Sequence, residues 1–99
     1  MADLSLVEYS ATSIFISILP NLEELKESTI PEKEKVEKAK TLIIKSLCKA
    51  RSDCNTTPKG IGQDYIINVN RKLNTFRNIN QIISYINNAI NKGKTYNNN

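Results

Sequence analysis

Apolar residues recur at intervals of three and four in four segments of the chain, residues 4–25, 36–50, 61–76 and 79–90. This spacing places apolar side chains on one face of an α-helix. Residues 65–67 taken alone resemble a strand, but the longer helical period extends well beyond them. The pattern therefore predicts an all-α protein, an antiparallel up-down-up-down four-helix bundle with short connections.

Capping residues predict where the helices begin and end. Short polar side chains satisfy the free N–H groups of a first helical turn, and proline is tolerated in that turn. The predicted starts are Ser5, Thr29, Thr57 and, as alternatives for the fourth helix, Thr75 or Asn78. Gly93 is predicted to end the fourth helix, because glycine readily adopts the left-handed conformation that closes one. We expect residues 1–96 to form a single helical domain and residues 97–99 to form a frayed tail.

Two helices carry irregular features. Pro20 lies inside the first apolar segment, lacks a backbone N–H and clashes with the preceding turn, so we expect that helix to be kinked or broken there. Phe15, Ile16 and Leu19 widen its apolar surface, which predicts deep burial. The second helix opens on the charged run 32–35, and we expect its start to protrude from the bundle.

Composition argues against an enzyme, a cofactor and a metal site. Histidine and tryptophan are absent, which removes His-dependent catalytic triads and the usual His-containing zinc sites. The three glycines form no Gly-x-Gly run of the kind that cradles phosphates. No positively charged segment precedes an apolar core at the start, so we expect a cytoplasmic protein with reduced thiols, Cys48 packed and Cys54 in a loop.

The second half of the chain is basic and rich in asparagine. Residues 51–99 carry seven basic side chains and two acidic ones, and eleven of the thirteen asparagines fall at or after residue 68. Either an AT-rich coding genome or a polar recognition face explains the asparagines, because a carboxamide both donates and accepts hydrogen bonds. Tyrosine and arginine are favoured at interfaces. The candidate partner-binding residues are Arg71, Lys72, Arg77, Tyr85, Lys92, Lys94 and Tyr96, although Tyr85 also fits simple packing at the core boundary.

The layout of the second half resembles a known family. A Thr57-Pro58 helix start, a break at Phe76, an amphipathic helix and a tail around Tyr96 are similar to the bacteriocin immunity proteins of lactic acid bacteria, over residues 30–96. The resemblance implies a cytosolic four-helix bundle that protects the producer cell from a pore-forming peptide. It implies contact with the bacteriocin-bound sugar-permease receptor at the inner membrane face. Partner choice would then lie in residues 68–96.

Three hypotheses about function follow from these observations. The first is a small binding protein of the immunity type, whose partner is a protein or a membrane receptor complex reached from the cytosol. The second is a viral or phage accessory protein that binds a host factor or, less favoured, nucleic acid, since the basic half suits phosphate. The third is an oligomeric subunit with a dimer face on the first helix. The sequence is compatible with a monomer or a dimer, and with no integral membrane segment.

Overall fold

Four α-helices make up the described fold: α1 (Leu4–Glu27), α2 (Glu32–Ser52), α3 (Gln63–Leu73) and α4 (Ile79–Asn98). The computed structural model describes the backbone of residues 4–52 and 63–98 and the side chains of residues 11–49 and 64–94. In these ranges every regular element is a helix, which confirms the predicted all-α four-helix fold. The predicted third-helix start at Thr57 lies outside the described residues.

One apolar core joins all four helices. Its members follow the predicted spacing, because positions three and four apart on a helix share a face. They are Ala11, Phe15, Ile18 and Leu22 of α1, Val36, Ala39, Ile43 and Leu47 of α2, Ile66, Val69 and Leu73 of α3, and Ile79, Ile82, Ile83, Ile86, Ala89 and Ile90 of α4. Burial of these side chains is the main source of stability that the fold offers.

Helix α1 runs through Pro20 without interruption. The predicted break is therefore wrong, and the kink stays a prediction. Ile18 and Leu22, on either side of the proline, are both buried in the core, while Pro20 is exposed. An internal proline costs a helix about 3 kcal/mol, and each large aliphatic side chain buried returns about 1.5–3 kcal/mol. Packing on both sides thus holds the two halves of α1 in one helix.

Helix α4 continues through Gly93, so the predicted helix end at that residue is wrong. Gly93 is buried, three positions after Ile90 on the same apolar stripe. Helix α4 packs most extensively against α1, and both carry buried small residues, Ala11 on α1 and Ala89 with Gly93 on α4. Because small side chains allow two helix backbones to approach closely, Gly93 is a packing position.

The start of α2 is exposed, yet two of its side chains are hydrogen-bonded to neighbouring helices, and its protrusion stays a prediction. Glu32 Oε2 accepts a hydrogen bond of 2.6 Å from the backbone N–H of Ile79, the first residue of α4. Lys35 Nζ donates one of 2.7 Å to the carbonyl of Lys26 in the last turn of α1. The charged residues thus satisfy backbone groups of two other helices, which their local sequence cannot indicate.

A third polar contact reaches α3. Lys40 Nζ donates to Asn74 Oδ1 at 3.2 Å, directly after α3 ends. The first half of α2 therefore lies beside the C-terminal ends of α1 and α3 and the start of α4. An up-down-up-down connection requires this grouping at one end of the molecule, and the full alternation stays a prediction.

Two other expectations about side chains are wrong. Cys48 is exposed, because the helical spacing of α2 turns its neighbour Leu47 into the core instead. Phe15 is fully buried as predicted, whereas Ile16 is 46% exposed, so the deep burial predicted for both is wrong at Ile16. None of the helices in the described ranges combines the length and apolar character needed to cross a bilayer.

Replacement of Glu32 by alanine is expected to lower the free energy of unfolding by about 1–2 kcal/mol, because a partly buried N–H of α4 loses its charged acceptor. Glu34→Ala is the matched control, since both residues lie in the first turn of α2 and favour its helix dipole alike. Urea unfolding followed by circular dichroism measures both. Equal losses in the two variants would contradict the role given to Glu32.

Candidate functional site

A groove lies between the C-terminal end of α3 and the first half of α4. Its volume is about 420 Å³. The residues that line it are Lys72, Phe76, Asn80, Gln81, Ser84, Tyr85 and Asn88. We refer to it as the α3–α4 groove. The lining contains two aromatic rings, one cation, three carboxamides and the hydroxyl of Ser84.

The tight turn after α3 positions Phe76. The N–H groups of Thr75 and Phe76 donate to the carbonyls of Lys72 and Leu73 at 3.0 and 3.2 Å. The Thr75 hydroxyl also donates to the Lys72 carbonyl, at 2.6 Å. These bonds satisfy the free carbonyls at the end of α3. Phe76 therefore follows the helix in an ordered turn, half-buried against the core.

Asn78 caps α4, which confirms one of the two predicted caps, Thr75 or Asn78. Its side-chain oxygen accepts a hydrogen bond of 3.0 Å from the N–H of Gln81. In return, Gln81 Oε1 accepts one of 2.7 Å from the N–H of Arg77. This reciprocal pattern is close to a capping box. It holds the Gln81 carboxamide at the groove, where the NH₂ group and the second lone pair of the oxygen can meet a ligand.

The aromatic rings and the lysine form one cluster. The ring centroids of Phe76 and Tyr85 are 5.6 Å apart, with their planes at 53°. Such tilted pairs are favourable beyond the area they bury. Lys72 Nζ lies 5.9 Å from the centroid of the Phe76 ring, at the outer limit for a cation–π contact. A positive charge thus stands beside an apolar floor made by two half-buried rings.

No acidic residue lines the groove. Asp64 is the one acid between residues 63 and 98. It lies eight positions before Lys72 on α3, which is about 12 Å along the helix axis. Arg71 and Arg77, both exposed, adjoin the lining residues in the chain. The lining of the groove thus carries one positive charge and no negative one, while the exposed Glu32 contacts Ile79, the neighbour of the lining residue Asn80.

A second depression, of about 430 Å³, lies between α2 and α3. Its lining includes Glu37 and Lys40, which form an ion pair at 3.1 Å, and Lys40 also contacts Asn74. No aromatic side chain lines it. Since two of its three charged side chains already bond within the chain and it has no aromatic ring, this depression is the weaker candidate.

The structure brings together two of the predicted binding residues, Lys72 and Tyr85. Tyr85 packs against the core, as one of its two predicted roles requires, and the partner-binding role stays a prediction. Four others are exposed but do not line the groove: Arg71, Arg77, Lys92 and Lys94. Lys92 follows Asn88 by one turn on the same face of α4. Tyr96 belongs to α4, and its side chain lies outside the described residues.

Three lining residues were not predicted to take part in binding. Phe76 was assigned to the third apolar stripe, but α3 ends at Leu73. Gln81 and Ser84 are not among the predicted binding residues, although their spacing from Tyr85 places all three on one face of α4. A polar strip interrupted by a single tyrosine is the signal that identifies this face.

Across the described ranges, no cluster of three or more His, Cys, Asp or Glu side chains offers a metal site. Comparisons of the chain with protein-family models, with curated proteins and with solved structures give no significant match.

Proposed function

We propose that this chain is a non-catalytic binding protein that engages a partner protein through the α3–α4 groove. The observation that carries the proposal is the cluster of Lys72, Phe76 and Tyr85 in a groove without acidic side chains. Interfaces obtain most of their binding energy from a few aromatic and cationic anchors surrounded by polar groups. The groove has this composition.

The carboxamides suit a polypeptide partner. Asn80, Gln81 and Asn88 are exposed along one side of the groove. A carboxamide can donate to a backbone carbonyl and accept from a backbone N–H, so it recognises a peptide chain whatever its side chains. Four apolar stripes are already used in the core, which leaves this polar face for recognition.

Immunity against a pore-forming peptide is the specific form of this function. The resemblance to bacteriocin immunity proteins points to residues 68–96 as the part that chooses the partner, and the groove lies within that range. In this proposal the protein acts in the cytoplasm, at the inner face of the membrane, on a receptor complex. It acts by binding to the receptor complex, without catalysis and without a cofactor.

Protection of a sensitive cell tests this proposal. Expression of the chain in a sensitive lactic acid bacterium should raise the inhibitory concentration of at least one bacteriocin by several fold relative to the empty vector. Immunity is specific, so a panel of unrelated bacteriocins is needed. Unchanged inhibitory concentrations across the panel, with the protein present on a blot, would contradict the immunity function.

Single-stranded nucleic acid is the second candidate, favoured by the same rings and cation. Bases stack on aromatic side chains while lysine and arginine meet the phosphates. Such binding weakens steeply with salt. Titration of a labelled oligothymidine at two salt concentrations tests it, and absence of binding at the lower one removes this candidate.

A further inference from the structure

We infer that the α3–α4 groove selects an acidic peptide segment that carries carboxylate side chains together with aromatic or large aliphatic ones. This inference rests on the proposed function and names the chemistry of the segment that the partner presents.

The first argument is charge complementarity. Lys72 is the one lining residue whose side chain is charged at neutral pH, and it is exposed. Arg71 and Arg77 adjoin the lining, and the nearest acid on α3 or α4 in sequence is Asp64, two turns away. Like charges placed together disfavour a basic segment, and opposite charges favour an acidic one.

The acid of α2 closest to this region is already engaged. Glu32 contacts the first N–H of α4, and it is not among the lining residues. This contact pairs a carboxylate with a backbone N–H at the start of α4. The Glu32 side chain is exposed and bonds to the N–H of the buried Ile79, whereas the exposed Asn80 and Gln81 line the groove.

The second argument is the distribution of donors around the apolar floor. Lys72 Nζ, the Gln81 NH₂ group and the Ser84 hydroxyl can each donate to a carboxylate. The rings of Phe76 and Tyr85 line the same groove and are only half-buried, so apolar side chains of a ligand can cover them. A segment that carries both carboxylate and apolar side chains can therefore contact the donors and the rings together.

Binding of labelled peptides to the full chain tests the inference. The probe is a short peptide in which Glu and Phe alternate, and the matched probes replace every Glu by Gln or by Lys. Fluorescence anisotropy should show the Glu peptide binding about fivefold more tightly than the Gln peptide, the size expected of a partly exposed ion pair. The preference should shrink as salt is raised.

Two variants assign the preference to the groove. Lys72→Gln should abolish the discrimination between the Glu and Gln peptides, whereas Lys38→Gln, at an exposed position of α2, should leave it unchanged. Equal binding of the Glu and Gln peptides, or a preference that survives Lys72→Gln, would overturn the inference. An oligothymidine that binds more tightly than the Glu peptide, and loses that binding in Lys72→Gln, would overturn it in favour of nucleic acid.

The inference and the proposed function can fail separately. Protection in cells without any peptide preference leaves the immunity function standing and removes the acidic segment. Peptide discrimination without protection against any bacteriocin supports the acidic segment and removes immunity.

Discussion

Replacement of Ile86 by alanine is expected to lower the free energy of unfolding by about 3 kcal/mol. Ile86 is fully buried in the middle of α4. This helix packs more extensively against α1 than against any other helix. Truncation of a core isoleucine removes buried apolar area and leaves a cavity that close-packed neighbours fill only in part. Since small domains are stable by about 5–15 kcal/mol, the loss is a large share of the total.

Ile16→Ala is the control for this change. Ile16 also lies within a helix, so the substitution brings the same gain in helix propensity, but its side chain is 46% exposed. Its unfolding free energy should change by less than about 1 kcal/mol. Urea unfolding monitored at the helical circular dichroism band compares the two. Similar midpoints for both variants would show that α4 does not form the core described.

Replacement of Tyr85 by alanine is expected to remove most of the protection conferred on a sensitive cell. Truncation of a central aromatic anchor weakens an interface by about 2 kcal/mol or more, which is about thirtyfold in affinity. Tyr85 forms half of the ring pair in the α3–α4 groove, and its removal leaves Phe76 as the single aromatic ring among the lining residues. The inhibitory concentration should fall toward that of the empty vector.

Tyr65→Ala separates this effect from a loss of stability. Tyr65 is half-buried against the same core on α3 but does not line the groove. Both variants should therefore lose comparable stability, and only the Tyr85 variant should lose protection. Circular dichroism of the two proteins checks that each remains folded at the growth temperature. Equal loss of protection in the two would assign the effect to folding.

The sequence predicted the helices and their buried faces well. Periodic apolar residues report which side of a helix faces the core, and the buried stripe from Ile79 to Ile90 follows the predicted spacing. The cap at Asn78 was also within reach, because capping depends on residues three positions apart. These features are local, and local interactions can be read from neighbours in the chain.

Features that depend on contacts between helices were not predictable. Gly93 carries the signature of a helix end, but packing of α4 against α1 gives it a buried position inside the helix. The charged opening of α2 resembles a solvated end, yet Glu32 bonds to a residue 47 positions later. Propensity ranks residues by local cost, and tertiary contacts of a few kcal/mol override it.

The candidate site was predictable only in part. Lys72 and Tyr85 were identified from residue type and charge, without any indication that they meet. Phe76 joins them because the turn after α3 ends the helix early and directs the chain back toward α4. The groove is formed by the end of α3, the turn after it and the first half of α4, and none of these segments contains it alone.

The most direct test of the account is obstruction of the α3–α4 groove with a bulky side chain. Ser84 lines the groove and is exposed, so Ser84→Trp should fill it without disturbing the core, and Ser13→Trp is the control at an exposed position of α1. The inhibitory concentration of the bacteriocin for cells expressing each variant is the measurement. We expect Ser13→Trp to protect as the unaltered chain does and Ser84→Trp to give no more protection than the empty vector. Full protection by folded Ser84→Trp would contradict the account.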